Sequence, residues 1–439
     1  MITAKINKNE SSRNPSRCNP RVTRPLNCDI TSLIAAAIAQ KIQRFAYASN
    51  HRAFLVFRYN PDSMPSTGSK VVLAMSGGVD SSVAAALLLR QGYNVIGVFM
   101  RLGSPDGVAS PQEDSCSASS GKHKQGCCSV LDAADARRVA DALGIPFYVL
   151  NFQDEFSRVI DYFVDEYNRG RTPNPCVRCN DWLKFGRLNR YAQAVGAEFV
   201  ASGHYARITP DPLTGEKSLA RGLDHRKDQS YVLFGMTRQT LDHTLLPIGD
   251  FEKHQVRAIA QELNLPVYNK PDSQEICFVP DQDYAALLQR RSPQSLREGD
   301  LVTADGSVVG RHSGHQNFTI GQRKGVGVAF GHPIYVSHID PASNRVTLGP
   351  RDSLLHTSLI ARQTNFLSTR LQSGVAPIRC TAKIRYNHDP QPAQATVTPD
   401  ADLLVRFDAP QSAITPGQAV VIYDNDILLG GGWIESAID

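Results

Sequence analysis

From residue 70 onward, short apolar runs alternate with longer segments that are apolar on one side. Lys70–Met75 (KVVLAM), Asn94–Arg101 (NVIGVFMR), Pro146–Phe152 (PFYVLNF) and Phe199–Ile208 (FVASGHYARI) read as strands. Near-continuous apolar runs of this length suit strands buried on both faces. Val83–Arg90, Leu131–Leu143, Phe156–Tyr167, Asp181–Val195 and Lys253–Leu263 read as helices, the first ended by Gly92. Strands alternating with helices predict an α/β domain: a parallel sheet with helices on both faces. Ligands of such sheets sit at the carboxyl ends of the strands.

The pattern changes near residue 295. Short β-rich runs then dominate, broken by Gly, Pro, Asp and Asn: Gly306–Gly310, Pro333–His338, Arg345–Leu348, Arg379–Tyr386, Gln394–Thr398, Leu403–Phe407 and Ala419–Tyr423. They predict small β domains, one of them a barrel. The expected organisation is an α/β domain over 64–275, a small linking β domain over 276–352 and a C-terminal β-barrel over 353–439. Residues 1–63 differ from the rest. They are basic and proline-broken up to Pro25, with an amphipathic helix pattern over Leu33–Ala48. They read as an unstructured extension or a start placed too early, Met64 being the true one; the alternative is a transit peptide to the mitochondrial matrix.

Composition narrows this picture. No apolar run approaches the roughly 18 residues a membrane span needs, which excludes a helical membrane protein. The formal net charge of +5 belongs to the amino end. Residues 1–63 carry ten Lys/Arg against three Asp/Glu, and the other 376 carry 37 against 39. RNA binding by the body must therefore rest on local patches. Two stretches lack acids: Ser353–His388 with Arg362, Arg370, Arg379, Lys383 and Arg385, and Gly306–Ile339 with Arg311, Arg323, Lys324 and four histidines. Nine cysteines, an odd number in a long chain, point to a reducing compartment, the cytoplasm, and to catalytic or metal-binding thiols. Adjacent Cys127 and Cys128, with Cys116 and His123 nearby, are poorly spaced for one tetrahedral ion. Cys18, Cys28 and Cys380 read as incidental.

The first candidate chemistry is the loop Ser76–Ser82 (SGGVDSS), between a strand and a helix. Gly77 and Gly78 let the backbone approach an anion. Amide groups at the helix start, with Ser81 and Ser82, suit phosphate, and Asp80 suits Mg²⁺. It is neither a Walker A loop nor GxGxxG. The second is Asn174–Asn180 (NPCVRCN), with Cys277 98 residues beyond Cys179 in Ser273–Phe278 (SQEICF). Placed just before a helix starting near Asp181, the Cys179 thiolate would be stabilised by the helix dipole, Arg178 and Lys184.

The loop resembles the SGGxDS motif of the PP-loop ATP pyrophosphatases, which cleave ATP to AMP and pyrophosphate to activate a carbonyl oxygen. With the cysteines, the chain resembles the tRNA-specific 2-thiouridylases over roughly residues 68–439. The markers are Ala74–Ser82, Gly97–Arg101, Asn174–Asn180, Ala201–Arg207 (ASGHYAR), Lys227–Phe234 (KDQSYVLF), Lys270–Phe278, Gly321–Gly327 (GQRKGVG) and Pro416–Gln418. The resemblance implies ATP on Ala74, Met75, Ser76, Gly77, Gly78, Val79, Asp80, Ser81 and Ser82, with Met100 and Gly203 lining the adenosine. It implies catalytic Cys277, carrying a persulfide, and Cys179, which resolves it. It implies tRNA contacts, at the anticodon, by Asn174, Pro175, Cys176, His204, Lys227, Asp228, Gln229, Arg385, Tyr386 and Gln418. An upstream sulfur donor is implied as a second partner.

The chain departs from many members of that family at Cys176, where they carry Asp. CxxC plus a distant Cys tips the reading toward a [4Fe-4S] cluster on Cys176, Cys179 and Cys277. The persulfide route stays open beside it. Competing functions are another PP-loop tRNA-modifying enzyme, or an amide-forming ligase that needs neither Cys179 nor Cys277.

Overall fold

A computed structural model describes residues 68–103, 130–272, 276–279 and 283–439. Residues 1–63, the insertion with Cys116, His123, Cys127 and Cys128, and Cys18 and Cys28 lie outside them. Among the described residues no helix is long and apolar enough to cross a membrane.

The first body is a five-stranded parallel sheet. Its order is Phe147–Asn151, Asn94–Arg101, Lys70–Ala74, Phe199–Ser202, Thr244–Leu245. The central strand explains the layering. Val71 and Leu73 enter one core, with Val83, Leu88, Val139 and Val256; Val72 and Ala74 enter the other, with Phe163, Leu183 and Phe278. Alternation along a strand buried on both sides requires this division. Helices Val79–Arg90, Val130–Leu143 and Lys253–Glu262 cover the first face, and Gln153–Asn168 with the helix from Pro175 covers the second.

The second body is a four-stranded sheet in the order Tyr335–Asp340, Arg345–Gly349, Gly299–Thr303, Val308–His312. It encloses Leu301, Phe318, Val336, Val346 and Leu348. The third is a closed barrel of six strands: Leu355–Phe366, Leu403–Ser412, Gln391–Val397, Ile378–Lys383, Ala419–Asp424 and Ile427–Ile438. The last strand returns to the first, which leaves no open edge.

Three expectations change. Phe199–Ile208 is two strands. Phe199–Ser202 stays in the parallel sheet, whereas Ala206–Pro210 pairs with Lys217–Arg221 and joins the barrel sheet through Ile427 opposite Ala220. The chain turns at Gly203, where a Cβ would meet the Ser81 nitrogen at 2.7 Å. Second, the helix expected from Asp181 starts at Pro175. Asn174 caps it by accepting from the Val177 amide at 3.4 Å, and proline fits its first position. It continues as a π-helical stretch, Asn180–Arg187, into Leu188–Ala194. Cys179 therefore lies inside a helix, and the dipole argument passes to Cys176 in its first turn. Third, the acid-free basic stretch is matched by distant acids. Arg379 pairs with Asp408, Arg370 with Asp211 and Asp424, and Arg362 with Asp402 and Glu435.

Candidate active site

The loop Ser76–Ser82 caps the carboxyl end of the central strand. Gly77 adopts φ +73°, and a Cβ there would lie 2.2 Å from the Asp132 carbonyl oxygen, so only glycine fits. Gly78 caps the following helix without a side-chain hydrogen bond. The amides of its first turn are thus left for an anion. The serines act differently from expectation. Ser82 is buried and donates to the Gly78 carbonyl at 2.7 Å; Ser81 accepts from the Ser76 amide at 3.2 Å. They brace the loop, while Ser76 is exposed. Met75 is buried beneath it, and a Cβ on Gly97 would meet its sulfur at 2.5 Å. Met100 packs at the edge of the second core.

Around the loop lies an array of cations that sequence reading missed. Lys253 Nζ donates to both Asp80 oxygens, at 2.8 and 2.9 Å, and to Asp272 at 2.8 Å. The Tyr205 hydroxyl also donates to Asp80 at 2.8 Å. Lys227 and Arg257 complete the shell of Asp272, at 3.0 and 2.8 Å. Burial pushes the Asp272 carboxyl up, but Lys253 and Lys227 outweigh it and hold it below the usual carboxylate range. Lys270 donates to the Gly77 carbonyl at 3.0 Å and pairs with Asp132 and Asp135. Lys253 had no signal beyond the opening of an amphipathic helix. Lys270 and Asp272 stood in the marker KPDSQEICF without a role.

Gly203 presses on this loop from the next strand, its ideal Cβ 2.8 Å from the Asp80 carbonyl carbon. Both contacts are backbone and cannot swing aside. Gly203→Ala is expected to displace the loop and cut ATP-dependent turnover about a hundredfold. Turnover within a fewfold of wild type would show that the loop has slack.

Cys179 and Cys277 both pack against the second core, beside Trp182 and Ile276. Cys176 is exposed, and Tyr386 of the barrel is near enough to feel its charge. Cys380 is buried on the barrel wall. Among the described residues no group of three His, Cys, Asp or Glu converges to hold a metal. Cys176, Cys179 and Cys277, the thiols of the cluster reading, are not gathered as such a group in this arrangement. The cations expected to favour a thiolate are engaged elsewhere. Lys184 meets His204 Nε2 at 3.2 Å. The Arg178 guanidinium lies 4.0 Å over the Trp433 ring and donates to Gln363 at 2.9 Å.

The expected RNA contacts divide into two groups. Asn174, Cys176, Arg385 and Tyr386 are linked through two rings: Tyr231 lies 6.2 Å from Tyr386, with Asn174 and Arg385 near enough to influence Tyr231 and Cys176 near enough to influence Tyr386. Pro175 is buried. The others serve the fold as it stands. His204 is buried, bonded to Ser202 at 2.7 Å, and burial pushes its pKa well down. Asp228 is buried; it accepts from the Gly222 and Ser230 amides and the Ser230 hydroxyl and pairs with Arg221. Gln229 accepts from the Tyr205 amide, and Gln418 donates to the carbonyls of Thr172 and Pro173.

Asp181, on the π-helical stretch, has one buried oxygen without a partner, and Gly235 leaves it no room. Burial pushes its carboxyl up to about 7 against the pull of Arg178. The folded state then holds a proton that the unfolded chain releases near pH 4. Stability is full below about pH 4, falls as pH rises to about 7 and stays low above, by up to about 4 kcal/mol. Asp181→Asn should lose this dependence, so melts at pH 5 and pH 8 should differ less than in wild type. Equal pH dependence in the two proteins would clear Asp181 of the effect.

The comparisons with known proteins agree with this architecture. Residues 69–281 match the tRNA methyl transferase HUP domain, 285–350 the tRNA methyl transferase PRC-barrel domain, and 356–434 the aminomethyltransferase beta-barrel domain. A PP-loop α/β enzyme with two appended β domains is the class so defined. The tRNA-specific 2-thiouridylase MnmA of Rhodopirellula baltica is 49% identical over 391 residues, covering 84% of this chain and 97% of that protein. That of Clostridioides difficile is 48% identical over 370 residues, covering 84% and 99%. The chain belongs to the tRNA-specific 2-thiouridylase family.

Proposed function

We propose that this protein is a tRNA-uridine 2-sulfurtransferase, which replaces the C2 oxygen of the wobble uridine by sulfur at the expense of ATP. The observation that carries this reading is that one sheet domain carries two chemistries, the second core holding both Ala74, which leads into the loop, and the two cysteines. An uncapped helix start is ringed by Lys253, Lys270 and Lys227, and two cysteines share one core of the same sheet. Family membership supports the substrate.

In the first half-reaction the uridine O2 attacks the α-phosphorus of ATP. The bond to the β-phosphate breaks and pyrophosphate leaves with its electron pair. The loop amides and the lysines take up the negative charge, which is electrostatic stabilisation in a preorganised site. Asp80 and Asp272, two hard oxygen donors bridged by one ammonium, fit Mg²⁺, which neutralises phosphate charge when bound. Adenylation turns O2 into a good leaving group.

In the second half-reaction the outer sulfur of a Cys277 persulfide attacks C2. The Cys179 thiolate then attacks the inner sulfur, the S–S bond breaks, and AMP leaves from C2. The products are 2-thiouridine and a Cys179–Cys277 disulfide, in balance with a persulfide loaded by a sulfane-sulfur donor and a disulfide later reduced by a thiol. Arg385 and Tyr386 offer a cation and a ring to a splayed anticodon base.

The test is to incubate anaerobically purified protein with unmodified tRNA, ATP, Mg²⁺ and a sulfane-sulfur donor. Nucleoside mass spectrometry should find 2-thiouridine at the wobble position. Pyrophosphate release without any thiolated base would keep the PP-loop chemistry and remove the thiouridylase reading.

A further inference from the structure

The mechanism above leaves one proton unassigned. When the uridine O2 bonds to phosphorus, the N3–H bond must break, or the ring would carry a positive charge. When sulfur later attacks C2, N3 must take a proton back. Asp80 and Asp272 are tied up in ion pairs, and His204 is buried behind Ser202 and Lys184.

Lys383 stands apart from every other lysine at the cleft. It ends the barrel strand Ile378–Lys383, opposite Val421, and is only 8% exposed. Its ammonium faces the rings of Tyr231 at 5.8 Å and Tyr386 at 5.5 Å. Among the described residues it makes no hydrogen bond or ion pair. The same two rings lead to Asn174 and Cys176. A ladder runs from there to the PP-loop: Lys383 is near Asp228, the next residue, Lys227, pairs with Asp272, and Lys253 joins Asp272 to Asp80. A base stacked on Tyr386 would therefore have an amine close by that no hydrogen bond or ion pair engages.

We propose that Lys383 is a catalytic acid–base residue, taking the N3 proton of the target uridine during adenylation and returning it during sulfur transfer. This rests on the thiouridylase reading. In the first step the N3–H bond breaks and an N–H bond forms on the neutral amine, as O2 bonds to phosphorus and pyrophosphate leaves. In the second, the ammonium returns that proton to N3 as sulfur adds at C2, so the cycle closes with no other reagent. The surroundings tune the amine to this task. Burial pushes its pKa down, with Asp228 and Asp389 opposing and Arg221 assisting; His388, Tyr231 and Tyr386 are its other titratable neighbours. A lowered lysine pKa is what a general base working near neutral pH requires.

The experiment measures tRNA-dependent pyrophosphate release, 2-thiouridine yield and tRNA affinity for wild type, Lys383→Met, Lys383→Arg and Lys383→Ala, at equal folded fraction from their melting curves. Met and Arg variants should release pyrophosphate about a hundred- to ten-thousandfold more slowly while tRNA affinity holds. Wild-type release should rise with pH to a plateau, and the variants should lose that limb. Small alkylamines should restore the alanine variant, the stronger bases more. An arginine variant as fast as wild type overturns the proposal, since a fixed charge would then suffice. So does a loss that tracks weakened tRNA binding. A wild-type enzyme that thiolates no tRNA overturns the reading beneath it, and the proposal with it.

Discussion

Replacing Cys277 by alanine is expected to abolish 2-thiouridine formation, by about a thousandfold or more, while tRNA-dependent pyrophosphate release continues. The split follows from the division of labour in the cleft. Adenylation uses the loop Ser76–Ser82 and its lysines. Sulfur transfer needs the carrier thiol, and among the described cysteines neither Cys380 nor Cys176 is placed to replace it. Cys380 lies in the barrel wall, and Cys176 is exposed near Tyr386. Cys179→Ala should allow at most one turnover's worth of adduct, because the S–S bond would lack its attacker. Equal loss of pyrophosphate release and thiolation in Cys277→Ala would instead make this residue part of the base pocket. A variant that still thiolates would remove it from the chemistry.

Asp228→Ala is the second large effect, and it appears in stability. The side chain is 1% exposed and serves two backbone amides, one hydroxyl and Arg221. Its removal strands those donors and leaves the Arg221 charge without its partner. Breaking a buried pair of this kind costs about 3–5 kcal/mol. The variant should melt well below wild type with or without RNA. An RNA-contact role predicts the reverse: an unchanged melt and a raised KM for tRNA. Denaturant unfolding of the free protein separates the two.

Asp228 also marks what the sequence makes legible. The strand, loop and helix around SGGVDSS were readable because every signal is local: an apolar run, two glycines, then a helix-forming run. The barrel strands were readable as short runs between Gly, Pro and Asn. What escaped depends on contacts between distant residues. Phe199–Ile208 reads as one strand, and only the packing of Gly203 against Ser81 shows why it must turn and change sheets. Pro175 looked like loop, yet proline after a capping asparagine opens a helix. The acid-free run from Ser353 to His388 looked like an RNA face, because Asp402, Asp408 and Asp424 follow it in sequence and pair with it in space. Of that patch, Lys383 and Arg385 form no salt bridge among the described residues. The lysines at the nucleotide loop come from segments some 170 to 190 residues downstream of it, which no local pattern connects.

The barrel is also tied to the thiol-bearing helix. Arg178 stacks on Trp433, Gln418 holds the carbonyls of Thr172 and Pro173, and Arg171 bonds Glu435 and the Ile434 carbonyl. Rigid placement of the first turn is what a reaction between a thiol and a bound base demands. The barrel thereby sets the position of Cys176 and Cys179.

The most direct test of the account is a single-turnover experiment with persulfide-loaded enzyme, unmodified tRNA and ATP. Pyrophosphate and wobble 2-thiouridine are counted in the same sample. One pyrophosphate for each 2-thiouridine, with Cys179 and Cys277 recovered as a disulfide, is the predicted result. Thiolated tRNA without pyrophosphate, or with both thiols still reduced, would contradict it.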